Sequence, residues 1–585
     1  MSIMLHGIGV SRGIAIGKAY LREHGQPEVS EYKVPDYLID AEIDRYKAAL
    51  DMARSQLVEL RTQVPSSVPG EVTDFIDAHL LMLEDNAIRR GPTKMIRRQK
   101  CNAEWALKQQ RDSLVQAFED MADSYLRTRK DDIDHVINRI MRILLEQEND
   151  TQELIDPDEN SSSRVVVSDN LTAAEIILLH NSGVAGIITE HGGPNSHSAI
   201  LARSIHLPAV MGASNIHRYI KDGEELIING DDGMILVDSN SKTINHYEEL
   251  KGKELHRREA LLKLRSQAAV TRDNSTITIQ ANVELYEDID AMHQAGCDTV
   301  GLYRTEFLFL NREDLPTEDE QYNIYKQVVE KLERSTLTIR LLDIGTDKPI
   351  PAIAEMEAAD NPALGVRGVR LLLKNMELLI PQLRAILRAS AHGKIQIMLP
   401  MVTNNSEISQ VREQLQTVMN SLKKDKLKFD TNLKVGVMIE TPAAALAADS
   451  FAANSDFLSI GTNDLIQYSL AIDRTDDQVN YLFDPLHPAI LRLIRQIIEA
   501  SNKYHIPVSM CGEMAGDERY TRLLLGLGLR EFSMNPSAIP EVKQAILNTR
   551  LDFLTPLADK MIKSADHEEI KLLFKEMNKF SMEHS

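Results

Sequence analysis

Residues 190–212 read EHGGPNSHSAILARSIHLPAVMG, and this stretch predicts a tight turn, a helix and a strand in close succession. The apolar run 184–188 precedes it and ends at residues 192–194 (GGP), which break a strand. The polar pair 195–196 (NS) then stands where a helix N-cap belongs, and the residues after it have helical character. The pattern therefore places His197 in the first turn of a helix that follows a strand.

The position of His197 suits a histidine that carries a phosphoryl group. Free backbone N–H groups and the helix dipole favour an anion at a helix N-terminus. Gly193, just upstream, lets the backbone come close without a Cβ atom in the way. The chain has 17 histidines, and a histidine taken alone is more often a surface or packing residue. The evidence for a functional His197 therefore has to come from the rest of the sequence.

Length and composition limit the possible classes of protein. At 585 residues the chain is too long for one hydrophobic core, and roughly two to four domains are expected. Hydrophobic residues make up 43% and charged residues 26%, as in ordinary soluble globular proteins. The formal net charge of −21 disfavours nonspecific binding to nucleic acids or anionic membranes.

The cysteines and the N-terminus point to a cytoplasmic protein. The three cysteines lie far apart in the sequence and form no CxxC pair, which favours a reducing compartment. The N-terminus lacks a basic region followed by an apolar core, and no apolar run reaches about 18 residues. We therefore expect neither a signal peptide nor insertion into a membrane.

Periodicity divides the chain into segments of different character. Residues 1–22 read as strands, whereas 23–149 carry helical i, i+3, i+4, i+7 apolar spacing that predicts a bundle of about four amphipathic helices. Short strands and helices return after a polar linker. The predicted domains are an α/β domain of residues 1–22 and 150–238, the inserted bundle 23–149, a helical connector 239–268, and a C-terminal domain 269–585.

The C-terminal domain contains eight short apolar runs separated by amphipathic segments. These runs are TITIQAN, TVGLYRTEF, LTIRLLDIG, KIQIMLPM, KVGVMIET, DFLSIGTND, IPVSMCGE and EFSMNPS. Eight such units over roughly 300 residues predict a (β/α)₈ TIM barrel. Polar residues concentrate at the ends of the runs, and all those ends open onto one face in such a barrel, so the pattern predicts an enzyme.

The residue types at the run ends suit a small anionic substrate bound with a metal. Four arginines offer bidentate contacts to phosphate and carboxylate groups: Arg304, Arg340, Arg367 and Arg474. Glu440 and Asp464 provide hard oxygen ligands appropriate to Mg²⁺. Cys511 has two readings that composition does not separate, an inert buried cysteine or a thiol that protonates carbon.

Seven motifs together carry a resemblance to a known family. They are GGPNSHSAILARS (192–204), GLYRTEFLF (301–309), LDIGTDK (342–348), NPALGVR (361–367), ETPAAA (440–445), SIGTNDLIQYSLAIDR (459–474) and MCGEMAGDER (510–519). Over almost its whole length the chain resembles the enzyme I family of bacterial phosphotransferase systems, within the PEP-utilising enzymes. Related dikinases and synthases add an ATP-binding domain, and this chain has no Walker-type motif.

The resemblance implies roles for individual residues. It implies a swivelling α/β phosphohistidine domain, phosphorylation of His197 on Nε2, and protonation of enolpyruvate by Cys511. The implied binding residues for phosphoenolpyruvate are Arg304, Arg340, Arg367, Asn463, Asp464 and Arg474, and those for Mg²⁺ are Glu440 and Asp464. Thr172, Arg203 and Gly193 are implied to surround the phosphohistidine. The bundle resembles the docking subdomain for the phosphocarrier HPr, and a homodimer through the barrel is implied.

Some positions depart from the family pattern, and alternative functions stay open. Thr346 replaces a usual glycine, Leu341 a common threonine, and Ala352 a frequent aromatic residue. These departures bear on loop geometry and rate rather than on reaction class. Besides sugar uptake, the same chemistry could serve a regulatory phosphorelay, although no sensory domain precedes residue 1. A third alternative, after sugar uptake and a regulatory phosphorelay, is a catalytically weakened docking protein.

Overall fold

The computed structural model describes most of the chain. The described residues are 3–22, 29–63, 70–119, 124–145, 164–193, 196–205, 207–309, 312, 314–345, 361–473 and 479–579. The chain divides into two compact units, residues 1–257 and 258–585, and each is described by itself below. No described helix is both long enough and apolar enough to span a lipid bilayer.

The first unit contains an eight-stranded mixed sheet. Its strands are β1 (Ile3–His6), β2 (Ile8–Ser11), β3 (Ile14–Arg22), β4 (Arg164–Ser168), β5 (Gly186–Thr189), β6 (Ala209–Met211), β7 (Glu225–Asn229) and β8 (Met234–Val237). Their order across the sheet is β1-β8-β7-β3-β4-β5-β6-β2. Strands β3 to β6 run parallel, so β3 pairs with β4 in register Lys18 to Arg164 across a long separation in sequence.

Helices of the first unit fall into a bundle and a set that flanks the sheet. The bundle helices are α1 (Ile39–Gln63), α2 (Gly70–Glu84), α3 (Asn86–Gln99), α4 (Ala103–Glu119) and α5 (Ser124–Leu144). The other helices are α6 (Ala173–Asn181), α7 (His197–Ser204) and α8 (Ser241–Lys263), the last of which continues past residue 257 into the second unit. One apolar core joins bundle residues such as Tyr46 and Ile137 to Val166 and Ile187 of the sheet.

A buried ion-pair network also joins the bundle to the sheet. Arg22, the last residue of β3, lies 3.1 Å from Glu175 of α6, and both side chains are almost fully buried. Arg142 of α5 reaches the same Glu175 oxygen at 3.2 Å. Glu175 also accepts a hydrogen bond from the backbone N–H of Thr172, so one carboxylate serves the bundle, the sheet and a helix cap.

The second unit is a closed barrel of eight parallel strands, which confirms the predicted fold class. The strands are β9 (Thr278–Val283), β10 (Val300–Tyr303), β11 (Thr336–Arg340), β12 (Lys394–Leu399), β13 (Lys434–Ile439), β14 (Leu458–Ile460), β15 (Val508–Met510) and β16 (Glu531–Met534). Each corresponds to one predicted apolar run. Strand β16 pairs with β9, from Glu531 with Thr278 to Met534 with Ala281, and closes the ring.

Helices follow the barrel strands and cover them. They are α9 (Asp288–Gln294), α10 (Glu318–Lys331), α11 (Val369–Lys374), α12 (Met376–Ala389), α13 (Asn405–Lys424), α14 (Pro442–Leu446), α15 (Ala448–Asn454), α16 (Thr462–Leu470), α17 (Pro488–Tyr504), α18 (Glu513–Gly516), α19 (Glu518–Gly526), α20 (Ile539–Leu547), α21 (Leu551–Lys563) and α22 (His567–Lys579). Because the strands are covered on both faces, they read as nearly continuous apolar runs: all four residues of β10 are buried.

Candidate active site

The carboxyl end of the barrel gathers charged and polar side chains from many strands. Arg340 ends β11, and Arg304, Glu440 and Cys511 follow β10, β13 and β15 by one residue. Asn463 and Asp464 lie in the first turn of α16, just after β14. Parallel strands in a barrel deliver their carboxyl ends to one rim, so six of the predicted site residues share that rim.

Two buried arginines form the centre of this site. Arg340 lies 3.1 Å from Glu306 and 3.1 Å from Asp343, while Arg367 lies 3.4 Å from the same Asp343. The Nη1 atom of Arg367 also donates to the hydroxyl of Tyr468 at 3.4 Å. The Nε atoms of Arg340 and Arg367 are buried and have no hydrogen-bond partner among the described residues, so each retains a donor for an incoming anion.

Carboxylates keep both arginines charged despite their burial. Burial by itself lowers the pKa of Arg340, but Glu306 and Asp343 outweigh it and raise the pKa above its ordinary value. The pKa of Arg367 is raised in the same way by Asp343 and Asp464 against the effect of burial. The site therefore presents two permanent positive charges away from bulk water, where attraction to an anion is weakly screened.

Arg304 and Asn463 are held by partners nearer to solvent. Arg304 forms an ion pair with Glu284, which follows β9, and its side chain is 39% exposed. Asn463 and Glu513 make a reciprocal pair: Asn463 Nδ2 donates to the carboxylate, and the backbone N–H of Glu513 donates to Asn463 Oδ1, both at 3.0 Å. Both pairs fix the direction of polar side chains at the rim of the barrel.

Glu440 is a buried carboxylate with an unsatisfied oxygen. Its Oε1 accepts a hydrogen bond from the backbone N–H of Met401 at 2.5 Å, while Oε2 is buried without a hydrogen-bond partner among the described residues. Burial, followed by repulsion from Asp343 and Asp464, raises the pKa of Glu440 well above its ordinary value. A divalent cation bound at Glu440 would satisfy the free oxygen and oppose that repulsion, so this carboxylate fits a metal.

Cys511 is a buried thiol at the end of a barrel strand. Its Sγ atom accepts a hydrogen bond from the hydroxyl of Ser459 at 3.2 Å, and the hydroxyl of Ser509 donates to Ser459 at 3.2 Å. Burial raises the pKa of Cys511, an effect that the Ser459 hydrogen bond opposes and the charge of Glu440 reinforces. The buried thiol therefore keeps its proton near neutral pH and has the character of a weak acid rather than a nucleophile.

The first unit contains the other predicted site, at the turn before α7. His197 is the first residue of this helix, and Ser196 caps it by accepting a hydrogen bond from the N–H of Ala199 at 3.2 Å. Gly192 has a φ of 106°, a conformation that residues with a Cβ atom rarely adopt. Among the described residues, no atom lies within 4 Å of where a Cβ atom on Gly193 would be.

The three residues predicted around the phosphohistidine occupy different places. Thr172 is the N-cap of α6 and makes a capping box with Glu175. The exposed Arg203 lies in the last turn of α7 and donates to the backbone oxygen of Val10 at 3.4 Å. The side chain of His197 lies outside what the structure describes, so its distances to Thr172 and Arg203 stay untested.

Several predicted positions lie outside the described residues, and several site residues were not predicted. Outside are Arg474 and the departures at Thr346 and Ala352. The third departure, Leu341, is fully buried in the barrel core. Glu306 and Asp343 were expected among the polar residues at the run ends but were given no role, whereas the carboxylate of Glu284 and the hydroxyl of Ser459 were not singled out. Their positions in the sequence could have indicated them, because each lies within an apolar run or near its end.

Comparison with known proteins agrees with this architecture. Residues 258–551 match the family described as PEP-utilising enzyme, PEP-binding domain. Residues 6–129 match the PEP-utilising enzyme N-terminal family, and residues 161–233 match the PEP-utilising enzyme mobile domain. The three matches follow one another along the chain and together account for both units.

Similar proteins align with this chain over almost their whole length. A phosphoenolpyruvate-protein phosphotransferase from Cupriavidus necator is 42% identical over 575 residues, covering 97% of this chain and 98% of that protein. Proteins of the same name from Listeria innocua and Bacillus subtilis are 38% and 37% identical, and the alignments cover 97–98% of this chain and 98–99% of those proteins. On these matches and its barrel architecture, the chain belongs to the PEP-utilising enzyme family.

Proposed function

We propose that this chain is a phosphoenolpyruvate–protein phosphotransferase that passes the phosphoryl group through His197 to the phosphocarrier HPr. The observation that carries the proposal is the full-length similarity to proteins of that name, at 36–42% identity. The barrel supplies the binding chemistry for a small anion, and the α7 turn supplies a histidine at a helix N-terminus.

The arginines account for recognition of phosphoenolpyruvate. The substrate carries a phosphate and a carboxylate, and planar guanidinium groups bind both kinds of anion in bidentate contacts. Arg340 and Arg367 each have a buried Nε donor without a hydrogen-bond partner. We assign these two arginines, together with Arg304, Asn463 and Arg474, to substrate binding.

Glu440 and Asp464 are the residues that would hold Mg²⁺. The free Oε2 of Glu440 and the position of Asp464 at the start of α16 supply hard oxygen ligands at the carboxyl end of the barrel. When bound, the ion neutralises charge on the phosphate and the developing enolate oxygen. Glu440 would have to lose its proton to bind the ion, because burial raises the pKa of this group.

In the proposed reaction, residues of this chain take part in both the phosphoryl transfer and the proton transfer. The bond between phosphorus and the enol oxygen breaks, and a bond between phosphorus and Nε2 of His197 forms. The enolate that remains takes a proton on its methylene carbon from the thiol of Cys511, which gives pyruvate. The resulting thiolate recovers its proton from solvent, and the phosphoryl group then moves from His197 to a histidine of HPr.

The partners follow from the same proposal. Helix α2 contains most of the segment 75–85 that resembles the HPr docking site, and its apolar residue Leu81 is 69% exposed. We place the enzyme at the first step of phosphotransferase-dependent sugar uptake and expect a homodimer through the barrel unit. Which HPr accepts the phosphoryl group would distinguish sugar uptake from a regulatory phosphorelay.

Intact-mass measurement tests the proposed function. The protein is incubated with Mg²⁺ and phosphoenolpyruvate, and one acid-labile phosphoryl group is expected together with release of pyruvate. His197→Ala should abolish the modification, whereas His191→Ala, a histidine in the same turn, should retain it. Adding HPr should then discharge the phosphoryl group. Absence of added mass in the wild-type protein would overturn the proposal and favour a docking protein.

A further inference from the structure

Three potential metal ligands converge in the first unit, which does not contain the barrel. Asp169 directly follows β4, and Glu190 directly follows β5. His217 belongs to a short 3₁₀ helix, Ile216–Arg218, that comes after β6. Strands β4, β5 and β6 are parallel neighbours, so the three residues meet at the carboxyl edge of one sheet.

The ligand atoms of these residues lie close enough to share one ion. One oxygen of each carboxylate and one ring nitrogen of His217 all lie within 4.8 Å of one another. His217 Nε2 is 2.6 Å from Asp169 Oδ1, yet this buried nitrogen has no correctly directed hydrogen bond. In its unprotonated form this nitrogen is a potential metal ligand that lies beside the two carboxylate oxygens.

Apart from His217 itself, the two carboxylates have no described cation that balances their charge. No described lysine or arginine forms an ion pair with Asp169 or Glu190. Two carboxylates held this close repel each other unless a cation or a proton lies between them. The side chains of His217 and Asp169 are 24% and 36% exposed, so an ion from solvent can reach the cluster.

We propose that Asp169, Glu190 and His217 form a binding site for a divalent transition-metal ion of the Zn²⁺ class. One imidazole nitrogen and two carboxylate oxygens are a donor set that Zn²⁺ accepts, with a fourth tetrahedral position left for water. An oxygen-only set would favour Mg²⁺ or Ca²⁺, and the histidine shifts the preference towards transition metals. The site is separate from the one at Glu440.

A metal here would fix the backbone next to the α7 turn. Glu190 stands two residues before Gly192, and His191 between them is already tied to β4: its N–H donates to Asp169 O at 2.9 Å. The hydroxyl of Thr189 donates to His191 O at 2.6 Å. The ion would add a link from this segment to the 3₁₀ helix that contains His217. The inference does not depend on the proposed function, because it concerns metal binding alone.

The test is a Zn²⁺ titration of the full-length protein against a chromogenic chelator. All variants carry Glu440→Gln, which removes a ligand from the barrel site and leaves the new site as the principal one. The parent protein, which carries only Glu440→Gln, should bind one equivalent of Zn²⁺ and gain thermal stability. Asp169→Asn, which keeps the shape of the side chain, and His217→Ala should each lose that equivalent or bind at least about tenfold more weakly.

A matched control separates this site from adventitious binding by histidines. His180 is exposed at the end of α6 in the same unit, and His180→Ala should leave the equivalent intact. Thermal unfolding without metal shows whether each variant is folded, and Asp169→Asn provides a second reading if His217→Ala is not. Equal Zn²⁺ binding by the parent and Asp169→Asn would overturn the proposal, as would an equal loss in His180→Ala.

Discussion

The protonation of Glu440 depends on its burial and on the charges beside it. Its pKa is raised by burial and by neighbouring carboxylates, so in the metal-free protein it keeps a proton above the pH at which it would ionise in the unfolded chain. The neutral form is therefore favoured by folding. Its contribution to stability is present below the unfolded pKa and is lost as pH rises through the folded pKa.

This shift predicts a pH-dependent metal affinity. Binding of Mg²⁺ or Mn²⁺ requires the carboxylate form, so affinity should rise with pH and each binding event should release protons. Calorimetric titrations from about pH 5 to 8, in buffers of different ionisation enthalpy, measure both effects. Glu440→Gln should weaken binding and abolish the proton release. An affinity that is constant over this range would contradict the prediction.

The three cysteines should be unreactive in the native protein. All three are free and buried, and burial raises the pKa of each thiol, that of Cys297 to about 11. A chromogenic thiol reagent should therefore find almost no fast-reacting group near neutral pH and three groups in denaturant. Cys511→Ser should reduce the denatured count to two. One rapid equivalent in the native wild-type protein, absent from Cys511→Ser, would show an exposed or ionised thiol.

The sequence allowed the location of the barrel residues to be predicted but not their partners. Arg340 and Glu440 were predicted at the carboxyl rim because each stands at the end of an apolar run. Arg340 pairs with Glu306 and Asp343. These pairs depend on which strands are neighbours and on side-chain rotamers, and the spacing of residues in one sequence specifies neither. The free Oε2 of Glu440 was unpredictable for the same reason.

At the scale of elements, the network around Glu175 connects α5, α6 and β3. Arg22 and Glu175 are almost fully buried, whereas the side chain of Arg142 is 32% exposed. Removing the charge of Glu175 would leave Arg22 buried and uncompensated, which typically costs about 3–5 kcal/mol. Removing Arg142 would break only the outer contact, for which about 0–1 kcal/mol is typical.

Denaturation of two variants compares these contacts. Glu175→Gln should strongly lower the midpoint of urea unfolding for the first unit, and Arg142→Gln should lower it only slightly. Glu175→Gln keeps the size of the side chain, and Arg142→Gln shortens a partly exposed one to a neutral amide, so the comparison mainly reports charge and hydrogen bonding. Equal effects would show that burial does not govern this network. The spectroscopic probe is Trp105, the single tryptophan of the chain, which lies in α4 of the same unit.

Local signals were sufficient to predict most elements. The eight barrel strands were visible as apolar runs, and the helical period over residues 23–149 indicated the bundle. Helix α7 begins at His197 with Ser196 as its cap, as the stretch 190–212 predicts. Glu175 was not singled out, because a glutamate in the first turn of a helix reads as an ordinary cap, and its contact with Arg142 comes from a helix distant in sequence.

At the scale of the whole molecule, two compact units predict two unfolding events. Calorimetry should resolve separate transitions for residues 1–257 and 258–585. Mg²⁺ with phosphoenolpyruvate should raise only the barrel transition, with a gain of about 2.7 kcal/mol when ligand is at 100 times its Kd. Glu440→Gln should remove most of that shift. A single transition, or equal shifts in both, would contradict the assignment of the ligand to the barrel.

Closure of the barrel has a consequence for how the protein is made. The hydrogen bond from Gln280 to Glu531, between the first and last strands of the ring, spans 251 residues of sequence. During synthesis the ring stays open until its last strand leaves the ribosome. Until then the earlier strands have unpaired edges, which promote aggregation. The sheet of the first unit is complete once β8 has emerged at Val237. The sheet that supports the α7 turn is therefore fully synthesised well before the barrel can close.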